Sequence, residues 1–156
     1  MNYQEWERGV PPEFTGDLLW KIEAYRLALF ACDLAWSDVT KLYKDTRALK
    51  LSDQLYRAVD SIGANVAEGY SRGSGKERAH FYEYALGSAR ESRHWYYAAR
   101  HILGETVTLH RVDLMTQVTR LLLTMIPDQR TVYLKEATVD YAASGFDILA
   151  DAPLSD

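Results

Sequence analysis

At 156 residues the chain is long enough for one domain that buries about 70% of its unfolded surface, and too short for a second full domain. Apolar residues at 47% with charged residues at 26% exclude a disordered chain, and nine Gly with four Pro argue against an all-β or low-complexity one. The net charge of −4 is uneven: Glu136, Asp140, Asp147, Asp151 and Asp156 fall in the last 21 residues without any Lys or Arg, which leaves 17 acidic and 18 basic groups elsewhere. A neutral body with an acidic tail does not exclude an anionic partner, although the pI is near 5.6.

Residues 1–16 hold Pro11, Pro12 and Gly16 between Trp6 and Phe14, a pattern that predicts an irregular arm docked by its aromatics. A first helix is expected from Asp17. Leu18, Ile22, Tyr25, Leu29, Cys32, Trp36, Val39 and Tyr43 then recur at alternating spacings of four and three, the seam of a helix packed in a bundle. On that reading Trp36 is buried, and its removal costs about 3–5 kcal/mol.

Ser52 is the candidate N-cap of a second helix, whose inner face is Leu51, Leu55, Ala58, Val59, Ile62 and Val66. Gly69, Gly73 and Gly75 mark the next connection. Ser74 with Glu77 three residues on reads as a capping box, opening a long third helix to about Leu103 with Gly104 just beyond it. Its inner face is expected to hold Phe81, Ala85, Ser88, Ser92, Trp95, Ala99, Ile102 and Leu103. A fourth helix from about Thr108 to Ile126 carries Val112, Met115, Val118, Leu122 and Met125 inward, before Pro127 ends or kinks it.

Four helices on short loops predict an all-α, up-down-up-down four-helix bundle over residues 17–126, with an N-terminal arm at 1–16 and an acidic C-terminal extension at 127–156. Residues 144–156 are expected to be unstructured. A single cysteine, Cys32, allows no internal disulfide, and neither a signal peptide nor a membrane span is expected. The expected compartment is the cytoplasm.

The second and third helices carry Asp53-Gln54, Arg57-Ala58, Ser61-Ile62, Asn65 and Ala67-Glu68-Gly69, followed by Phe81, Ala85, Gly87-Ser88 and Glu91. This series resembles the bacterial four-helix-bundle family of proteins encoded in intervening sequences of 23S ribosomal RNA genes. The resemblance implies a non-enzymatic bundle that assembles as a ring, commonly a homopentamer. Relatives include the accessory variability protein of diversity-generating retroelements, which partners a reverse transcriptase and RNA.

On the second helix Asp53, Arg57, Ser61, Asn65 and Glu68 line one polar side, with Asp53 and Arg57 in the favourable order for an ion pair. That side is either a solvated stripe or an interface with a neighbouring subunit. Gly63 and Ala67, on a third side, are small enough for close helix contact in an oligomer.

Glu77 with His80 and Glu91 with His94 have the spacing of helical metal ligands, but both pairs lie on one helix and lack matching carboxylates elsewhere. Neither a metal nor a cofactor is expected. No nucleophile stands beside a base, and Ser74-Gly75-Lys76 has the wrong order for a phosphate loop. Arg90, Arg93, His94, Tyr97, Arg100 and His101 share the outer face of the third helix. That stripe reads as an ordinary solvated face, or as a site for RNA or single-stranded DNA that pairs cations with phosphates and a ring with a base.

Overall fold

The structure is a computed structural model that describes residues 1–130 and 153–155. Among those residues it is all-α, with no strand. Four long helices carry it: α3 (Glu23–Leu42), α4 (Leu49–Tyr70), α5 (Gly75–Leu103) and α6 (Glu105–Asp128), preceded by two short ones, α1 (Tyr3–Arg8) and α2 (Pro12–Thr15). Helices α3 and α4, α4 and α5, and α5 and α6 pack side by side, and α6 returns to α3 to close the bundle.

The N-terminal arm differs from the irregular segment expected. Asn2 caps α1 by accepting the Gln4 N–H at 2.8 Å, and α1 lies against the first half of α3. There Trp6 meets Phe30 at 5.3 Å and stacks on Trp20 at 6.2 Å, while its indole N–H donates to Asp33 at 2.5 Å. Trp6 therefore docks as expected, but Phe14 stays exposed.

Asp17 does not open the first long helix. It caps a 3-10 turn, Leu18–Lys21, and α3 starts only at Glu23. The buried seam of α3 is also displaced by one residue from the expected one. Ala24, Ala28, Ala31, Ala35, Asp38 and Leu42 face inward with Leu27 and Leu34; of the expected seam Tyr25 and Val39 are buried, whereas Leu18, Trp36 and Tyr43 are exposed and Ile22, Leu29 and Cys32 only half-buried. One residue is 100° of rotation. The alanine face lets α3 approach its neighbours closely, and the bulky side chains are left at the rim. Trp36, at 64% exposure, is thus not the core residue its spacing suggested.

The α3–α4 connection is a second 3-10 turn, Thr46–Ala48, capped by Asp45. Arg47 donates to that carboxylate through its backbone and side chain, which pulls the Asp45 carboxyl down to about 2. Helix α4 then begins at Leu49, three residues before the expected cap. Ser52 is buried inside it, its hydroxyl donating to the Ala48 carbonyl at 2.8 Å. The inner face runs through Leu55, Ala58, Val59, Ile62 and Val66, with Leu51 half-buried at its edge.

Gly63 is not on a free side. It is buried opposite Ala28, where a Cβ would make ordinary contact at 3.6 Å with the alanine methyl, so it faces α3 within the chain. Ala67 likewise packs against the core. Gly69 has a stricter role, because a Cβ there would come within 3.0 Å of Phe81 and Tyr82 on α5.

At the start of α5 Ser74 is the N-cap, as expected: its Oγ accepts the Glu77 N–H and its hydroxyl donates to the Glu77 carboxylate at 2.7 Å. Helix α5 ends at Leu103 as expected, and Gly104, at φ 85°, adopts the left-handed region open to glycine. Its core line is Ala79, Tyr82, Ala85, Leu86, Ala89, Ser92, Tyr96, Ala99 and Leu103; Ala85, Ser92, Ala99 and Leu103 are buried as expected, while Phe81, Ser88, Trp95 and Ile102 sit at the edge. Helix α6 starts at Glu105 rather than Thr108, buries Met115, Val118 and Leu122 while Val112 and Met125 are only half-buried, and takes Pro127 into its last turn. No described helix is long and apolar enough to cross a membrane. The acidic residues 136, 140, 147, 151 and 156 lie outside the described residues, as does most of the 144–156 segment expected to be unstructured.

Candidate interaction surfaces

Where α3, α5 and α6 meet, the bundle buries a charge pair that sequence reading missed. Asp38 is fully buried and Arg111 is 1% exposed. The guanidinium clamps the carboxylate with two hydrogen bonds, from Nε at 2.7 Å and from Nη2 at 3.1 Å. Tyr96, also buried, donates its hydroxyl to Asp38 at 3.2 Å, and Arg111 Nη1 lies 2.9 Å from His110 Nδ1. Burial first, then the Asp38 charge, push the Tyr96 hydroxyl well above the ordinary tyrosine range, so it stays a neutral donor. The carboxylate and guanidinium are each satisfied, and no nucleophile joins them. The cluster fixes three helices in register. Its one sequence signal is an Asp inside the alanine line of α3, at the spacing of that line.

A second feature is the rim of α3 against α4. Trp36 packs edge-on to Tyr56, with ring centres 5.7 Å apart, and the Cys32 thiol lies 3.7 Å from both the Tyr56 hydroxyl and an Asp60 carboxylate oxygen. Desolvation raises the Cys32 thiol, and the contact with Cys32 followed by burial pushes the Tyr56 hydroxyl up to about 12. Tyr43 extends the rim and donates to Asp53. Asp33, Asp53 and Asp60 are all exposed along it. The rim is therefore aromatic and acidic.

The polar side of α4 borders this rim without the expected internal ion pair. Asp53 takes the Tyr43 hydroxyl, while Arg57 donates to Gln54 at 2.6 Å. Asn65 donates to the Ser61 carbonyl at 2.7 Å, and Glu68 pairs with Arg72, whose guanidinium also lies 4.8 Å from the Phe81 ring centre. Asp53, Arg57 and Glu68 are exposed; Ser61 and Asn65 are half-buried.

The α5 stripe faces outward. Arg90, His94, Tyr97 and His101 are exposed, and Arg93 and Arg100 are half-buried. Arg100 folds over Tyr97, its guanidinium 4.1 Å from the ring centre and its Nη1 donating to the Tyr97 carbonyl at 2.8 Å. His94 lies edge-on to Trp95 at 4.8 Å.

The two Glu-x-x-His pairs are engaged elsewhere. Glu77 belongs to the helix cap, His80 lies 4.5 Å from the Tyr84 ring centre, and Glu91 accepts the Trp95 N–H at 3.0 Å. No group of three or more His, Cys, Asp or Glu residues converges for a metal among the described residues.

A family model described as 23S rRNA-intervening sequence protein matches residues 21–122, which run from the turn before α3 into the last two turns of α6. The chain shows no match to a curated protein or to a solved structure.

Proposed function

The chain belongs to the 23S rRNA-intervening sequence protein family, and on that premise we propose that it acts as a non-enzymatic, self-assembling scaffold of up-down-up-down bundles. The observation that carries this reading is the rim of α3. Leu29, Cys32, Trp36 and Tyr43 keep the spacing of a packing seam, yet Trp36 is 64% exposed and Tyr43, two turns on, 48%. A periodic aromatic seam turned outward fits burial against another chain.

A second copy is the occupant that matches by charge. The rim carries Asp33, Asp53 and Asp60, whereas the outer face of α5 carries Arg90, Arg93 and Arg100. Two different faces that complement each other make a head-to-tail contact, which closes into a ring when the rotation permits. The polar residues of α4, Asp53, Arg57, Ser61, Asn65 and Glu68, would flank that contact, and the family resemblance favours five copies. Light scattering should give about five times the 17.8 kDa chain mass. Asp53→Arg should dissociate the assembly, and Arg93→Glu in the same chain should partly restore it. A wild-type protein that runs as a monomer at micromolar concentration overturns the scaffold reading.

A second reading rests on the same α5 stripe: an accessory protein that binds RNA or single-stranded DNA and partners a reverse transcriptase. Tyr97 is 61% exposed among the cations, and its ring with the overlying Arg100 would stack a base while Arg90 and Arg93 meet phosphates. Fluorescence polarisation with a labelled RNA oligonucleotide tests it. Binding at low salt that weakens steeply at physiological salt supports it, and no binding at low salt ends it.

A further inference from the structure

The buried charge cluster has a neighbour from a distant part of the chain. Arg111 Nη2 donates to the main-chain carbonyl of Pro153 at 2.8 Å, and the Ser155 hydroxyl lies 3.3 Å from the Ser37 hydroxyl. Ser37 and Asp38 are successive on α3, so both contacts fall at the α3–α6 junction. Pro153 and Ser155 are half-buried there, whereas the apolar side chain between them, Leu154, is 50% exposed.

From this arrangement we propose that the α3–α6 junction is a binding site for an extended peptide, and that its resident occupant is the chain's own Pro153–Ser155 segment. The chemistry of recognition is polar. A guanidinium has five N–H donors; Arg111 directs two at Asp38 and one towards His110, and the donor it turns to Pro153 needs an acceptor once water is displaced. A main-chain carbonyl supplies it whatever the side chain. Proline suits the position because it brings no N–H that would be left unpaired beside the cation, and its fixed φ favours an extended approach. Ser155 then matches Ser37 through one hydroxyl–hydroxyl hydrogen bond in which either can donate, while Leu154 is exposed beside the contact. The site therefore reads a proline carbonyl and a hydroxyl two residues on, and is indifferent to the side chain between.

Occupancy has a consequence for the cluster beneath. The segment covers Arg111, and its release would admit water to a pair that joins α3 to α6. That junction packs less extensively than α4–α5 or α5–α6 and is the place where a small loss of closure should be felt.

The test compares the full chain with one ending at residue 152. Exchange of the Arg111 Nε–H, followed by NMR, should be roughly tenfold faster in the shortened chain. A synthetic peptide of residues 148–156, added to the shortened chain, should bind saturably and restore the slow exchange. Within that peptide Ser155→Ala should weaken binding and Leu154→Ala should leave it unchanged; Ser37→Ala on the protein, a mild surface change, should act like Ser155→Ala. Unchanged Arg111 exchange together with no peptide binding overturns the site. If Leu154→Ala abolishes binding and Ser155→Ala does not, the polar recognition is wrong. A drop in assembly mass on shortening would show that the segment bridges copies, which overturns its assignment to its own chain.

Discussion

Two faces of α3 lie one residue apart in register and have opposite fates. The inner one is built from small residues, Ala24, Ala28, Ala31 and Ala35, interrupted by the buried Asp38. The outer one keeps Tyr25 and Val39 buried but leaves Leu29 and Cys32 half-buried and Trp36 and Tyr43 exposed, side chains larger than the alanines. Burial did not follow side-chain size. Backbones approach closely only where side chains are small, and the core of this bundle is filled by Leu27, Phe30, Leu34 and Leu42 beside the alanine line. An aromatic seam on the outside is then surface available to another molecule, while a carboxylate on the inside is tolerable only because Arg111 and Tyr96 meet it.

The largest effect should come from breaking the inner face at its charge. Arg111→Ala leaves the Asp38 carboxylate buried without its cation and should cost about 3–5 kcal/mol in thermal or urea unfolding. The paired replacement Asp38→Leu with Arg111→Met should recover most of that loss. If the single variant unfolds at the wild-type midpoint, the two groups are not in contact and the inner register of α3 is wrong.

A smaller contrast separates the faces directly. Leu34→Ala should destabilise the chain by about 2–5 kcal/mol, and Trp36→Ala by about 1 kcal/mol or less under conditions that dissociate any assembly. Equal losses would return Trp36 to the core. Under assembling conditions the order sharpens further, because Trp36→Ala should lower the assembled fraction measured by light scattering while Leu34→Ala lowers the midpoint of every species.

The smallest effect is a titration on the outer face. Tyr56 should ionise near 12 in an ultraviolet titration, resolved by difference against Tyr56→Phe. Its folded value lies above the ordinary one near 10, so the associated stability is present below pH 10 and is lost as pH rises through about 12. Cys32→Ala should lower the midpoint, since the contact with Cys32 is the main cause of the shift. A Tyr56 midpoint unmoved by that change would separate Cys32 from the rim.

Much of the architecture was legible in the amino-acid sequence. The helical class, the four long helices, the inner face of α4, the Ser74–Glu77 cap and the positive φ at Gly104 follow from periodicity and end signals that act within a few residues. The family followed too, since its motif is a linear series on α4 and α5. Element starts were read less well: Ser52 has the chemistry of a cap, but the 3-10 turn held by Asp45 supplies the start of α4 three residues earlier.

What only the tertiary structure decided was which of two equally periodic faces of α3 turns inward. Both satisfy the same three-and-four spacing, and hydrophobicity favours the wrong one. The choice depends on groups far along the chain, above all Tyr96 and Arg111, which satisfy Asp38. For the same reason the Pro153 contact was invisible, because a main-chain carbonyl meeting an arginine 42 residues away leaves no local pattern. Spacing along a helix is set by its own backbone, but the value of burying a charge is set by the partners that tertiary packing brings to it.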